Sequence, residues 1–182
     1  MIAGEQKRIA AALVSTSGSL KLVKPEQMHL TLLFLGEVQE PRVQPVIEAM
    51  NTAVHLPVFD IAFGGAGVFP PRGAPRVLWM GVTEGAAPLT GLQKEIAERI
   101  RALGVVFDDR PFHPHLTVGR WRAARGDRAA RGRLRREGGA LRESGVVAGV
   151  RVTRATLYQS RLSASGPAYT ALAHANLSKN GE

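Results

Sequence analysis

The chain has 182 residues, which corresponds to one domain or one domain of two lobes, and a chain of this size buries roughly 70% of its unfolded surface. It contains no cysteine, which excludes disulfides and cysteine-ligated metals, and no apolar run approaches the length of a membrane span. We therefore expect an unexported, cytoplasmic protein, and its net charge of +9 suits a polyanionic partner.

The hydrophobic pattern predicts helices and strands in alternation along the chain. In order, it predicts a helix at 5–14, strands at 20–23 and 29–36, a helix at 41–54, a strand at 57–63, a Gly- and Pro-rich loop at 64–75, a strand at 76–82, a helix at 88–103, a strand within 105–121, and strands at 146–160 and 168–173. This order predicts an α+β fold of two similar lobes, each an antiparallel sheet with helices on its outer face. We expect a single bilobal domain over residues 1–182.

Two copies of the tripeptide His-Leu-Thr stand out, at His29–Thr31 and at His115–Thr117. Side chains alternate between the faces of a strand, so each histidine should share a face with its threonine. The intervening leucine, and Leu32 and Phe34 further along the first copy, should point into the core. If the lobes face each other, two imidazoles and two hydroxyls meet in one cleft.

This set of side chains suits the hydrolysis of a phosphodiester. One group must deprotonate water and another must protonate the leaving oxygen, and histidine titrates near neutral pH. Hydroxyl donors can hold the non-bridging phosphate oxygens. A single histidine on an apolar strand is more often a core residue, but two copies with the same neighbour, at matched places in two similar halves, favour the catalytic interpretation.

The other histidines lack this pattern. His113 shares the parity of His115 but precedes no threonine, so we expect it at the rim of the site, and His55 and His174 are expected to be structural or solvated. Five residues after each motif histidine stand Phe34 and Arg120. Arg120 could hold a phosphate through two parallel hydrogen bonds, provided that a bulge or a kink at the preceding glycine turns it onto the histidine face.

The segment 120–142 carries most of the net charge, with nine arginines against two acidic residues. Such a segment can grip RNA outside a cleft. The alternative is codon bias, since arginine outnumbers lysine 19 to 5 along the chain. No Walker motif, GxGxxG motif, carboxylate cluster or HxxxH pattern points to a nucleotide cofactor or to a metal site.

The stretches HLTLLFLGEV, HPHLTVGR and LYQSRLSASGPAYTAL resemble the two-histidine phosphoesterases, in particular the LigT-like RNA 2′,3′-cyclic phosphodiesterases, also called 2′-5′ RNA ligases. The resemblance runs from about residue 5 to residue 177. It implies a bilobal fold with a central cleft, and hydrolysis of a 2′,3′-cyclic phosphate to a 2′-phosphate without metal or nucleotide cofactor. The family usually opens with an apolar strand. Here MIAG alone precedes EQKR, so we expect that this strand is lost or that the start lies inside a longer reading frame.

Carried over residue by residue, the resemblance implies His29 and His115 as the catalytic pair. It implies Thr31, Thr117 and Arg120 as substrate-binding residues, with His115 activating water and His29 protonating the 3′ oxygen. The substrate is expected to be RNA with a 2′,3′-cyclic phosphate end, for example a tRNA fragment, or a small cyclic nucleotide; no protein partner and no membrane contact are expected. Two alternatives stay open, namely ATP-independent 2′-5′ ligation and a non-catalytic RNA- or nucleotide-binding module.

Overall fold

A computed structural model describes residues 20–121, 148–163 and 166–178 of the chain. The described elements, in chain order, are β1 (Leu20–Leu22), a short 3₁₀ helix (Pro25–Gln27), α1 (Glu40–Met50), β2 (Val54–Pro57), β3 (Phe59–Phe69), β4 (Val77–Glu84), α2 (Ala86–Ala102), β5 (His115–Trp121), β6 (Ala148–Val152), β7 (Arg154–Ser163) and β8 (Gly166–Ser178). The predicted α+β class is confirmed. The predicted helix at 5–14 and most of the arginine-rich segment lie outside the described residues.

The chain divides into two compact units, each assembled from three separate stretches of sequence. The first contains residues 1–31, 61–86 and 113–150, and the second contains residues 32–60, 87–112 and 151–182. The strands of the first unit belong to a five-stranded sheet of order β1-β5-β4-β3-β6. One face of its central strands is fully buried and holds Leu78, Met80, Leu116 and Val118, which are at most 4% exposed.

The second unit holds a three-stranded sheet of order β2-β8-β7. β7 and β8 form a long antiparallel pair, whereas β2 runs parallel to β8, so this sheet is mixed rather than purely antiparallel as predicted. Both described helices lie in this unit, except for the first residue of the second one. The sequence predicts a different distribution, with one helix and one histidine strand in each half.

Helix α2 forms because apolar side chains recur at helical spacing, with arginines in its last turn where cations favour the helix dipole. Its predicted apolar face is buried at Leu89, Leu92, Ile96 and Ile100. The observed bounds lie within two residues of the prediction. Helix α1 ends four residues earlier than predicted, at Met50, because the chain turns there into β2, which the sequence analysis had missed.

The first histidine segment is not the buried strand that its apolar sequence predicts. Between the 3₁₀ helix and α1, its contact with a sheet is a single antiparallel bridge from Leu30 to Leu116. The side chain of Phe34 is 68% exposed, so the prediction that it points into the core is wrong. Alternation holds only for the first residues, because the segment leaves the sheet after Thr31 and loses the pleat that orients its side chains.

The predicted loop at 64–75 is a strand as far as Phe69, and its glycines are the reason. Register shifts between Gly64 and Gly67 let β3 pair with β4 although its sequence reads as a loop. A Cβ atom on Gly67 would lie 2.1 Å from the ring of Trp79, so the indole lies directly on the backbone of β3. A glycine is required at this position because the approach leaves no room for a side chain.

The carboxyl-terminal strands also differ in length from the prediction. The predicted strand at 146–160 is two strands, β6 and β7, interrupted at Thr153, and β8 is longer than predicted at both ends. No helix among the described residues is long and apolar enough to cross a membrane.

Candidate active site

The two His-Leu-Thr copies lie next to each other in the first unit. Leu30 and Leu116 are antiparallel bridge partners. In the antiparallel order of this bridge, the neighbours of the two leucines oppose each other, His29 toward Thr117 and Thr31 toward His115. Directly opposed residues of an antiparallel pair point to the same face, and both leucines point to the other one. Two imidazoles and two hydroxyls therefore share one face, and a rotation of half a turn about the leucine pair would exchange the two copies. Both histidines belong to the first unit, whereas the sequence predicts one histidine strand in each lobe.

The four side chains form what we call the His/Thr quartet: His29, Thr31, His115 and Thr117. In a regular antiparallel pair, the two histidines occupy diagonal positions, which lie about 7–8 Å apart at the backbone. This spacing leaves room for a phosphate group between the rings. His29 and Thr31 are exposed, while His115 and Thr117 are half-buried.

Each imidazole is held by a hydrogen bond of the same type, to the backbone carbonyl two residues earlier. Nδ1 of His29 donates to the carbonyl oxygen of Gln27 at 2.8 Å, and Nδ1 of His115 donates to that of His113 at 2.7 Å. A carbonyl oxygen can only accept, so Nδ1 carries the proton in each neutral ring and Nε2 carries the lone pair. The backbone thus prepares the same nitrogen of both histidines for proton transfer.

A β-bulge brings Arg120 to the quartet face. The β4–β5 register runs from Leu78 opposite Gly119 to Trp79 opposite Thr117, so Val118 is one extra residue in β5. An extra residue reverses the alternation that follows it, and Arg120 therefore points to the same side as Thr117. The exposure of Arg120 between buried Gly119 and Trp121 agrees with this orientation. Such a bulge is one of the conditions under which the sequence predicts that Arg120 reaches the site.

Aromatic side chains surround His115 on one side. Phe69 and Trp79, from β3 and β4, have ring centroids 5.2 Å apart, and the His115 ring meets them edge-on at 5.0 and 6.3 Å. The exposed ring of His113 lies 6.2 Å from that of His115, as expected for a residue at the rim of the site. Together with the Nδ1 hydrogen bond, these contacts fix the orientation of the His115 imidazole.

This environment changes the titration of His115. Burial lowers its pKa below the ordinary value of 6.5; the hydrogen bond to the His113 carbonyl opposes the effect, while the charges of His113 and Arg120 lower the pKa further. The ring is therefore kept neutral around pH 7, which is the form that can accept a proton.

The remaining histidines lie elsewhere in the fold. The side chain of His55 is 91% exposed and 3.6 Å from Glu95, and His174 is within 3.0 Å of the Thr156 hydroxyl. Neither forms a second catalytic pair with a residue of the described chain. The two motifs do not predict the aromatic neighbours of His115. The strand RVLWMGV is their signal in the sequence, because its pairing with β5 places Trp79 opposite Thr117.

An imidazole pair, a hydroxyl pair and an arginine on one face of a sheet are the groups that an acid–base phosphoesterase needs. The chain belongs to the 2′-5′ RNA ligase superfamily, whose family model matches residues 5–163. An RNA 2′,3′-cyclic phosphodiesterase of Aeropyrum pernix is 33% identical over 178 residues, which cover 98% of each chain. One from Archaeoglobus fulgidus is 44% identical over 114 residues, covering 63% of this chain and 62% of that protein.

Solved structures agree on the fold. TT0787 of Thermus thermophilus has a TM-score of 0.67 and 26% identity, with 98% of this chain and 94% of that chain covered. LigT of E. coli in its apo form has a TM-score of 0.66 at 23% identity and covers 97% of this chain and 92% of its own, which is a likeness of fold. The family predicted from the two motifs is confirmed.

Proposed function

We propose that this protein is an RNA 2′,3′-cyclic phosphodiesterase that hydrolyses the cyclic phosphate at the end of an RNA and leaves a 2′-phosphate. The observation that carries the proposal is the antiparallel pairing of the two His-Leu-Thr copies, which gathers two imidazoles and two hydroxyls on one face. The name shared by the Aeropyrum and Archaeoglobus relatives supports the same activity. We place the enzyme in the cytoplasm.

In the proposed reaction, Nε2 of His115 accepts a proton from water while the water oxygen attacks phosphorus. The bond from phosphorus to the 3′ oxygen breaks, and Nε2 of His29, protonated beforehand, donates its proton to that oxygen. In-line displacement requires the base and the acid on opposite sides of the phosphorus, and the diagonal arrangement of the two rings supports this assignment. The lowered pKa of His115 supports its assignment as the base.

The hydroxyls of Thr31 and Thr117 hold the non-bridging oxygens, and Arg120 neutralises the charge that grows on them in the transition state. These are roles of position and charge, and they need no cofactor. The quartet and Arg120 together supply the acid, the base and the oxygen donors of the proposed reaction.

The test is to offer an RNA ending in a 2′,3′-cyclic phosphate and to identify the product. We expect a 2′-phosphate, and we expect His29→Ala and His115→Ala each to lower kcat by roughly 10²–10⁴, the usual contribution of one acid or base. The double variant should lose less than the product of the two effects, because the pair acts as a unit.

His55→Ala is the matched control, because His55 is exposed and belongs to the second unit. It should leave turnover unchanged. Near-normal turnover in either quartet variant would contradict the two-histidine mechanism. Tight RNA binding by the wild type without any turnover would instead support the non-catalytic binding module.

The same site offers a second candidate activity, since the matching family model is named for RNA ligation. A 5′-hydroxyl in place of water would attack the same cyclic phosphate and form a 2′-5′ bond. Adding an RNA with a 5′-hydroxyl to the assay separates the two reactions. We expect hydrolysis to dominate, and a joined product in excess of the hydrolysed one would reverse that assignment.

A further inference from the structure

Lys21 stands beside the quartet face, although neither sequence motif includes it. Strand β1 pairs antiparallel with β5 in a register that sets Lys21 directly opposite Arg120. Its neighbours Leu20 and Leu22 are less exposed and face Trp121 and Gly119, on the buried side of the sheet. Lys21 is exposed and, like its cross-strand partner Arg120, points to the face that carries the quartet.

Two like charges directly opposite each other in a sheet destabilise it. Some exposed arginines of the described chain have acidic partners: Arg101 pairs with Asp109, Arg110 with Asp108 and Arg151 with Asp60. Within the same part of the chain, Lys21 and Arg120 form no ion pair with a carboxylate. A bound anion would relieve their repulsion, so the pair has the properties of an anion site.

The position of Lys21 indicates which anion this is. The pKa of His115 responds to the charge of Arg120, so that guanidinium is close to the quartet. Lys21 lies on the neighbouring strand β1, opposite Arg120 and three residues of β5 beyond Thr117. The 3₁₀ helix separates Lys21 from His29 along the chain. Three residues of β5 span at most about 10 Å, so Lys21 stands roughly one nucleotide away from the reacting phosphate.

The surroundings of β5 differ on its two sides. Phe69 and Trp79 make the β4 side apolar and aromatic, whereas the β1 side presents Lys21 and Arg120. The phosphates of an RNA strand favour the basic side. The strand upstream of the cyclic end should therefore leave the site over β1.

We propose that Lys21 binds the phosphodiester immediately upstream of the cyclic phosphate, next to Arg120 on the reacting phosphate, so that the protein prefers an RNA end over a cyclic mononucleotide. This inference rests on the proposed function, since it places a second phosphate relative to the reacting one. It names a subsite for RNA at Lys21, which lies outside the arginine-rich segment 120–142 and is paired with its first residue, Arg120.

The experiment compares two substrates that share one reacting group: a nucleoside 2′,3′-cyclic phosphate and a dinucleotide with the same cyclic end. The wild type should have the higher kcat/KM on the dinucleotide. Lys21→Gln should lower kcat/KM on the dinucleotide roughly tenfold, mostly through KM, because one charged hydrogen bond is lost. The loss on the mononucleotide should be at least five times smaller, and Lys21→Arg should retain most of the preference.

Lys24→Gln is the matched control, since Lys24 is an exposed lysine three residues away, at the N-cap position of the 3₁₀ helix, where its side chain makes no capping hydrogen bond. It should keep the dinucleotide preference. An equal loss on both substrates in Lys21→Gln would overturn the proposal and assign Lys21 to the reacting phosphate. No loss on either substrate would overturn it in favour of a solvated lysine.

Failure of the proposed function has a separate signature. If the wild type turns over neither substrate, the catalytic proposal fails. The subsite is then tested by measuring the equilibrium affinity for two product-like ligands. The ligands are then a nucleoside 2′-phosphate and a dinucleotide ending in a 2′-phosphate. Lys21→Gln should weaken binding of the dinucleotide alone, and equal affinities in the wild type and the variant would contradict the subsite.

Discussion

At the scale of single residues, the two histidines make the same kind of hydrogen bond, each to a backbone carbonyl two residues earlier, but they differ in their surroundings. His29 is exposed, whereas His115 is half-buried against Phe69 and lies near Arg120. The residue types and their shared face could be predicted from the sequence, because alternation is a local rule. The difference between the rings could not, because Phe69 and Trp79 lie far away in the sequence and meet His115 only through strand pairing.

The first prediction concerns the pH dependence that follows from this difference. A neutral His115 is required of the base, and its pKa is lowered, so the acid limb of kcat/KM should have its midpoint below pH 6.5. Arg120→Gln removes a positive charge that favours the neutral ring. The pKa of His115 should rise, and the acid limb should move to higher pH. A pH–rate profile of the wild type and the variant measures this shift.

Loss of rate alone would be ambiguous, since Arg120 is also proposed to bind phosphate. The pH shift is the specific sign of its effect on His115. Arg154→Gln serves as the control, because Arg154 is an exposed arginine on β7, in the second unit. An unchanged acid limb in Arg120→Gln would show that another group is the base.

At the scale of elements, the irregular parts of the sheet carry the site. The bulge at Val118 turns Arg120 to the quartet face, and the glycines of β3 make room for Trp79. The sequence rules predicted a loop where β3 continues, because Gly and Pro usually interrupt strands. The same rules predict a strand at 29–36, because this segment is apolar, but the segment forms a single bridge and no strand. Both errors arise where pairing with a distant segment decides the structure.

The second prediction tests the glycine beneath Trp79. Gly67→Ala places a methyl group where the indole lies, and neither the backbone of β3 nor the packed ring can move away at low cost. We expect the free energy of unfolding to fall by about 1–3 kcal/mol, as for other overpacked sites. Denaturant unfolding measures this change. The altered Trp79 position should also change the tryptophan fluorescence of the folded state.

Gly149→Ala is the matched control, because this β6 glycine also lies in the first unit and the nearest atom to a Cβ there is 3.9 Å away. Its effect should stay within about 0.5 kcal/mol. Equal stability of the two variants would mean that the indole does not rest on β3 in solution.

At the scale of the whole molecule, the family and the α+β class could be predicted from two short motifs, and the comparisons confirm both. The division into units could not be predicted, since each unit combines three stretches of sequence. The charge of +9 is likewise a property of the whole chain. It is the basis for expecting a polyanion, and its effect on binding must be measured on the whole protein.

The last prediction concerns that charge. If the arginine-rich segment contacts RNA phosphates, replacing Arg131, Arg133 and Arg135 with glutamine should weaken binding of a long RNA. Each single-stranded phosphate contact contributes about −0.7 to the slope of log affinity against log salt, so the slope should flatten by roughly two units. RNA affinity at several salt concentrations provides the measurement. Parallel lines for the two proteins would favour codon bias as the origin of these arginines.

The pairing of the two tripeptides has a consequence for regiochemistry. A rotation of half a turn about the Leu30–Leu116 pair exchanges His29 with His115 and Thr31 with Thr117. The quartet alone therefore does not distinguish between the two ester bonds of a cyclic phosphate. Whether the 2′ or the 3′ bond breaks must be decided by groups that the rotation does not duplicate. Arg120 is such a group, because its counterpart in the first copy is Phe34, and the aromatic rings beside His115 are another. The identity of the product is thus encoded in the neighbours of the quartet rather than in the quartet itself.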